Sequence, residues 1–200
     1  MFYGSPLALP GQSVGLLGGS FDPPHAGHVH ITRRALRRFG LDQVWWMVTP
    51  GNPLKTEGPA SIERRMAACR AIMSHPKVTI TDIETQLSTR FTADTLLALQ
   101  ARYPGVRFVW LMGADNLVSF HHWDEWKTIV RSVPIGVLSR PGEQIAAGLS
   151  PAARVFASAR VSKQAARGLA HMPAPAWCLL PGPMVEMSST QLRASGAWQR

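Results

Sequence analysis

The segment that most constrains the fold is residues 16–31, LLGGSFDPPHAGHVHI. A short apolar run ends at Gly18 and Gly19, which lack a Cβ and so let the backbone turn sharply and approach a ligand closely. Two prolines then stiffen the loop before a helix opens. His25 and His28, at i and i+3, project from one side of the first helical turn, where unpaired N–H groups and the helix dipole favour anions. The segment predicts a strand, a loop and a helix that together bind a polyphosphate.

Strand-like and helical patterns alternate along the rest of the chain. Strands are predicted at residues 14–17, 43–48, 78–83, 107–112, 133–138 and 177–180, and helices at 27–39, 61–73, 92–101 and 123–130, with another helix within 150–169 and a short one from Ser189. Such alternation predicts an α/β fold with a doubly wound, mostly parallel sheet flanked by helices. Ligands of these sheets bind beyond the carboxyl ends of the strands. Gly18, Lys55 and Asp115 all follow predicted strands, so we expect their motifs to converge.

The composition indicates one globular domain. The 200 residues are 46% hydrophobic and 16% charged, which suits a single α/β core; we expect residues 1–12 to be an N-terminal leader and residues 13–200 the domain. The net charge of +9 comes mostly from scattered arginines without an accompanying nucleic-acid motif, which favours small anionic substrates. The cysteine spacing indicates neither a metal site nor a redox motif. Because no segment is typical of a signal peptide or a membrane span, we expect a cytoplasmic protein.

Six short motifs follow one another along the chain. They are HxGH at residues 25–28, TPGNPLK at 49–55, RFTADTL at 90–96, GADNL at 113–117 with Trp123 after it, IGVLSRPG at 135–142, and MSSTQLR at 187–193. The set resembles the bacterial nicotinate-nucleotide adenylyltransferases, which belong to the HxGH nucleotidyltransferase superfamily and have a Rossmann-like fold. This resemblance implies direct in-line transfer of the AMP part of ATP to nicotinate mononucleotide. The products would be deamido-NAD and pyrophosphate, in NAD biosynthesis.

The resemblance also implies roles for individual residues. The expected catalytic residues are His25, His28 and Arg193. The expected ATP contacts are Gly18, Gly19, Ser20, Phe21, His25, His28, Gly113, Asp115, Ser189, Thr190 and Arg193. The expected contacts of the nicotinate nucleotide are Gly19, Ser20, Lys55, Thr92, Trp123 and Arg140. No metal site within the protein is expected, because Mg²⁺ would arrive with ATP and keep several of its waters.

Helix capping is an alternative role for some of these residues. Ser189 and Thr190 are candidate caps of the short C-terminal helix, and capping is compatible with phosphate binding. Thr92 is a candidate N-cap of the helix predicted at 92–101. Asp115 either caps the following helix or faces the ribose hydroxyls.

Other residues also have a structural interpretation. Trp123 is either a core residue or the indole that stacks on the pyridine ring. Lys55 and Arg140 are either contacts of the nucleotide phosphate or solvated surface residues. His121 and His122 suggest a metal cluster, but adjacent helical residues point in different directions, so a partly exposed pair is expected instead.

Two further sequence features bear on the surroundings of the expected site. Asp22 stands at a position where family members also carry asparagine, so no obligatory catalytic or metal-binding role is expected for its carboxylate. The chain ends seven residues after Arg193, whereas many relatives continue with another helix. This difference affects the expected outer packing and not the expected site.

Two other functions remain open at this point. An adenylyltransferase for nicotinamide mononucleotide or phosphopantetheine would share the HxGH and SSTQLR motifs and differ in the acceptor pocket around Thr92 and Trp123. A basic nucleic-acid-binding protein is a remote alternative, which predicts salt-dependent binding and no release of pyrophosphate from ATP.

Overall fold

Six parallel strands form one sheet at the centre of the molecule. The computed structural model describes residues 5–51, 58–139, 144–182 and 188–199. The strands are β1 (Ser13–Gly19), β2 (Gln43–Val48), β3 (Val78–Thr81), β4 (Arg107–Gly113), β5 (Ile135–Ser139) and β6 (Trp177–Pro181). Their order across the sheet is β3-β2-β1-β4-β5-β6, and every paired neighbour is parallel. The chain builds outward from β1 in one direction and then from β4 in the other, which places a topological switch point between these two strands.

Helices cover both faces of the sheet. They are α1 (Ala26–Arg38), α2 (Ile62–Ile72), α3 (Ile83–Gln86), α4 (Thr92–Arg102), α5 (Ala114–Ser119), α6 (Trp126–Ser132), α7 (Gln144–Gly148), α8 (Pro151–Val155) and α9 (Ser189–Ala194), with 3₁₀ turns at Phe120–His122, Ala157–Ala159 and Ala165–His171. The architecture confirms the predicted doubly wound α/β fold.

Strand alternation separates the core into two apolar layers. Trp45 and Trp46 are adjacent on β2 and fully buried, yet they belong to different core clusters because successive side chains of a strand point to opposite faces. The Trp45 layer packs under α4, α5 and α6, and the Trp46 layer packs under α1 and α2. Cys69, predicted to be a core residue, is fully buried in the second layer.

Three predicted elements differ from the observed ones. The strand predicted at 78–83 ends at Thr81, and the chain then forms the short helix α3. The helix predicted at 123–130 begins only at Trp126, because Glu125 before it adopts a left-handed backbone with φ of 48°. The helix predicted within 150–169 is present but short, since α8 ends at Val155 and the rest of this stretch contains 3₁₀ turns.

The N-terminal residues that the structure describes lie against the domain. Gly11 N–H donates to the Gly105 carbonyl at 2.8 Å, and the Tyr103 hydroxyl donates to the Pro6 carbonyl at 2.9 Å. The assignment of residues 1–12 as a leader stays a prediction. Within the described ranges, no helix is both long and apolar enough to cross a membrane.

Candidate active site

The first turn of α1 is organised by its two histidines. His25 is the N-cap, and its Nδ1 accepts a hydrogen bond from Gly27 N–H at 3.1 Å. His28 completes a reciprocal capping box, because its Nδ1 accepts from His25 N–H at 3.1 Å. A neutral imidazole that accepts at Nδ1 carries its proton on Nε2. Each histidine therefore caps the helix with one nitrogen and has an N–H donor on the other. Capping is a role of these residues in addition to the predicted phosphate contact.

The His28 ring is held in an apolar setting. Its centroid lies 4.8 Å from the Phe21 ring and 6.0 Å from the Trp46 ring. Burial is the largest cause that lowers the pKa of His28 from 6.5 to about 3, followed by the nearby His25, while the hydrogen bond from the backbone of His25 opposes the shift. An imidazole with this pKa is neutral at physiological pH, so His28 can donate a hydrogen bond from Nε2 without carrying a positive charge.

The glycines of the loop have a different physical role from the predicted one. Gly18 and Gly19 lie within β1, paired with Met47 and Val48 of β2, and the sharp turn falls later, at Phe21, whose φ is 46°. At Gly18 a Cβ would stand only 2.7 Å from Cη2 of Trp110, so the absence of a side chain is required by packing. The expectation that these glycines make the turn is wrong, because the strand continues through both.

A buried arginine joins the loops at the carboxyl ends of β1 and β2. Arg65 of α2 is 1% exposed. Its Nη1 donates to the carbonyls of Ser20 and Thr49, both at 2.7 Å, its Nη2 donates to the Pro50 carbonyl at 3.5 Å, and its Nε donates to the Ala60 carbonyl at 2.6 Å. Burial is the largest effect on the pKa of Arg65 and lowers it. Arg65 was not among the residues predicted from the sequence, although its position directly beside the apolar stripe of its helix was a signal that could have indicated it.

The C-terminal helix α9 has a different cap from the predicted ones. Ser188 is the N-cap: its Oγ accepts from Gln191 N–H at 3.2 Å, and Gln191 Oε1 accepts from Ser188 N–H at 2.9 Å. Ser189 and Thr190 occupy the first two helical positions. They are therefore not the caps, and their hydroxyls are available for other contacts.

Helix α9 lies against the loop that precedes His25. Ser189 Oγ donates to the Pro23 carbonyl at 2.8 Å. The Arg193 guanidinium donates to the backbone carbonyl of Asp22 and, at 3.2 Å, to Thr190 Oγ1. These contacts bring the C-terminal SSTQLR motif and the HxGH loop together.

Asp22 links this loop to two other segments of the chain through hydrogen bonds to its side chain. Its side chain is 2% exposed, and Oδ1 accepts from Ala60 N–H at 3.3 Å and from Trp198 Nε1–H at 2.7 Å. Arg64 stacks over the Trp198 ring, 4.5 Å from its centroid. The Trp198 side chain thus packs back onto the loop that precedes His25.

The switch point contributes Gly113 and Asp115. Gly113 ends β4 and is the N-cap of α5, and Asp115 lies in the first turn with its carboxylate folded over the position that a Gly113 Cβ would take. No side-chain bond caps α5, so the capping interpretation of Asp115 is wrong. Asp115 is exposed at the carboxyl end of the sheet, where a ligand can reach it.

The predicted acceptor residues have mixed outcomes. Trp123 is half-buried, with its ring edge-on to Phe120 at 5.3 Å and to Trp110 at 6.2 Å, so one side packs on the core. Thr92 is not an N-cap, because Phe91 holds that position and Thr92 is the first residue of α4. Lys55 and Arg140 lie outside the described residues.

His121 and His122 do not diverge as expected. Their ring centroids are 3.8 Å apart, and both residues lie in the 3₁₀ turn Phe120–His122. No group of three or more metal-ligating residues occurs in the part of the chain that the structure describes.

Comparison with known proteins places the chain in a family. A profile described as cytidylyltransferase-like matches residues 16–195. A protein of Ruegeria pomeroyi named probable nicotinate-nucleotide adenylyltransferase is 61% identical over 198 residues, which cover 99% of this chain and 93% of the relative. The chain belongs to the nicotinate-nucleotide adenylyltransferase family. A relative of the same name from Roseobacter denitrificans is 58% identical, over 99% of this chain and 100% of the relative.

A solved structure with the same fold also belongs to this functional class. The Plasmodium falciparum nicotinic acid mononucleotide adenylyltransferase complexed with NaAD has a TM-score of 0.67 and 16% identity, over 92% of this chain and 83% of that one. The family assignment confirms the resemblance drawn from the motifs, the Rossmann-like fold and the enzyme class. This adenylyltransferase family member is a transferase of NAD biosynthesis and a nucleotide-binding protein.

Proposed function

We propose that this enzyme joins nicotinate mononucleotide to the AMP part of ATP. A phosphate oxygen of nicotinate mononucleotide attacks the α-phosphorus of ATP, the bond from that phosphorus to the bridging oxygen breaks, and pyrophosphate leaves with the electron pair. The products are deamido-NAD and pyrophosphate. The observation that carries this proposal is the pair of capping histidines at the start of α1, with Nε2–H donors at the carboxyl end of β1.

The proposed role of His25 and His28 is to donate hydrogen bonds to ATP phosphate oxygens. A preorganised N–H donor in a partly apolar site stabilises negative charge that develops on the phosphate oxygens. The helix N-terminus adds backbone N–H groups and a positive dipole end. Gly18, Gly19, Ser20 and Phe21 form the adjoining wall.

Arg193 is the proposed cation for the leaving pyrophosphate. Its bonds to Asp22 and Thr190 fix the guanidinium beside the loop. A guanidinium has five N–H donors, so donors are left for phosphate oxygens without breaking those bonds. Ser189 and Thr190 are proposed to contact the same phosphates.

A covalent enzyme intermediate is not part of the proposed mechanism. Positioning and electrostatic stabilisation suffice for transfer to an attacking phosphate. Cys69, one of the two cysteines, is buried in the core, where burial raises its thiol pKa to about 12. Such a thiol is a poor nucleophile and lies away from solvent.

Magnesium is proposed to enter as Mg-ATP. The Asp22 carboxylate, which lies within the loop between β1 and α1, already accepts hydrogen bonds from Ala60 and Trp198. The described residues therefore suit an ion held mainly by phosphate oxygens and water, which is how Mg²⁺ usually binds nucleotides. We also infer a cytoplasmic location, in agreement with a substrate such as ATP.

The acceptor is proposed to lie beside Trp123 and Thr92. Trp123 presents a half-exposed indole that can stack on a pyridine ring, and it contacts Trp110, whose ring packs on Gly18. Asp115 is proposed to face the ribose of ATP. Lys55 and Arg140 are proposed to contact the nicotinate nucleotide.

The test is pyrophosphate release from Mg-ATP with three acceptors. Nicotinate mononucleotide, nicotinamide mononucleotide and phosphopantetheine are compared for the wild type, His28→Ala and the control His171→Ala, whose side chain is exposed on the 3₁₀ turn Ala165–His171. We expect release with the nicotinate compound, its loss in His28→Ala and its retention in the control. A preference for the acid over the amide below about tenfold, roughly 1.4 kcal/mol, would contradict the substrate assignment.

A further inference from the structure

Arg65 connects two loops whose relative position must be fixed for the proposed reaction. Ser20 belongs to the phosphate loop after β1, and Thr49 and Pro50 begin the loop after β2. All three carbonyls accept from one guanidinium. Thr49 N–H also donates to the Gly19 carbonyl at 3.0 Å, so the loops are joined directly as well.

The contact pattern requires an arginine. Four backbone carbonyls from three chain segments surround Arg65, and a planar guanidinium presents donors in several directions at once. A lysine ammonium places its donors on a single nitrogen and cannot reach all four. The Asp22 carboxylate interacts favourably with this buried charge and lies in the same loop.

A change at Ser20 is transmitted to the catalytic histidine. Phe21 follows Ser20 directly, and its ring contacts both His28, at 4.8 Å, and Trp46, at 4.9 Å. Packed rings do not move independently, because the interior is close-packed. Displacement of the Ser20 carbonyl would therefore move the Phe21 ring, which packs against the His28 ring.

We propose that Arg65 is a positioning residue for adenylyl transfer: by binding the carbonyls of Ser20, Thr49 and Pro50 it fixes the phosphate loop against the loop after β2. This inference rests on the proposed function, since it assigns the two loops to the two substrates. Arg65 itself is too deeply buried to contact either nucleotide.

The experiment compares Arg65→Lys and Arg65→Ala with Arg70→Lys, an exposed arginine on the same helix. Pyrophosphate release is measured per folded molecule, with the folded fraction taken from circular dichroism. We expect kcat of Arg65→Lys to fall about 100-fold, as for a misplaced reacting group, with smaller changes in both KM values. Guanidinium ion, at concentrations far below denaturing ones, should restore part of kcat in Arg65→Ala and leave the control unchanged.

Several results would overturn the proposal. One is a kcat of Arg65→Lys within about twofold of the wild type; another is a loss in Arg65→Ala that guanidinium does not restore although the protein is folded. If Arg65→Ala does not fold, Arg65→Gln, which removes the charge and keeps an N–H donor group, takes its place, and unchanged kcat in it would be equally decisive.

A readout besides activity separates this inference from the proposed function. A wild type that releases no pyrophosphate with any acceptor would refute the proposed function alone. Hydrogen exchange of the Ser20, Phe21 and Thr49 amides in the unliganded protein would then still test Arg65. Faster exchange in Arg65→Lys than in Arg70→Lys is expected, and equal exchange would overturn the positioning role.

Discussion

Substitution of Glu84 by glutamine should stabilise the protein in a pH-dependent manner. Glu84 lies in the first turn of α3 and is 3% exposed, and its Oε2 has no hydrogen-bond partner among the described residues. Burial raises the pKa of this carboxyl from 4.5 to about 7, and a hydrogen bond with the Thr95 side chain partly opposes the shift.

The sign and size of the effect follow from this shift. Because the folded-state pKa lies above the unfolded one, the folded protein holds the proton more tightly, and stability is lost as pH rises from about 4.5 through 7. Each pKa unit corresponds to about 1.4 kcal/mol, so the ionised Glu84 costs the fold on the order of 3 kcal/mol above pH 7. Glutamine has a similar shape and does not ionise, so Glu84→Gln is not destabilised in this way.

The assay is urea unfolding of the wild type and Glu84→Gln between pH 5 and pH 8. The advantage of Glu84→Gln in the free energy of unfolding should grow by about 2 to 3 kcal/mol over this range, or roughly 4 to 12 °C in melting temperature for a chain of this size. The control is Glu63→Gln, at an exposed position in the first turn of α2. A stability difference between Glu84→Gln and the wild type that does not change with pH would show that Glu84 does not ionise at a raised pKa in the folded protein.

Three further predictions concern the site. Gly18→Ala should destabilise by about 1 to 3 kcal/mol, since its Cβ would force the Trp110 ring to move, and thermal unfolding measures this. The ¹⁵N NMR shifts of the His28 ring should remain those of a neutral imidazole at pH 5, because its pKa is lowered to about 3. Trp198→Phe should cost about 1 to 3 kcal/mol through loss of the Nε1–H bond to Asp22, and should raise the KM for ATP because α9 carries Arg193.

Each of these predictions has a contradicting outcome. A melting temperature of Gly18→Ala equal to that of Gly58→Ala, at a position where a Cβ meets nothing within 4 Å, would refute the packing argument. A protonated His28 ring at pH 5 would remove the neutral-donor role. A Trp198→Phe variant with unchanged stability and ATP kinetics would show that the C-terminal residues do not support the loop.

The fold was largely predictable because its signals are local. Apolar runs of strand length that alternate with helical stripes specify a parallel sheet, since parallel strands need crossover connections. His25 and His28 were recognisable as a pair because residues three apart in one helical turn lie on the same side of the helix. The order of the motifs then indicated the family, which the comparisons confirmed.

Several site features were not predictable because they depend on contacts between distant segments. The requirement for glycine at position 18 comes from Trp110, which is brought there only by the pairing of β1 with β4. Sequence analysis assigned the capping of α9 to Ser189 and Thr190, although Ser188 performs it. A serine run does not reveal which of its members adopts the extended backbone that an N-cap needs.

The order of strands and helices, the histidine pair at the start of α1 and the family could be read from the chain alone, because each is specified by short local segments. The burial of Arg65 among carbonyls of separate loops, the hydrogen bond from Trp198 to Asp22 and the burial of Glu84 depend on how the folded chain packs. The physical reason is that the cost of burying a charge or a polar group depends on the partners that folding brings to it, and these partners are distant in sequence.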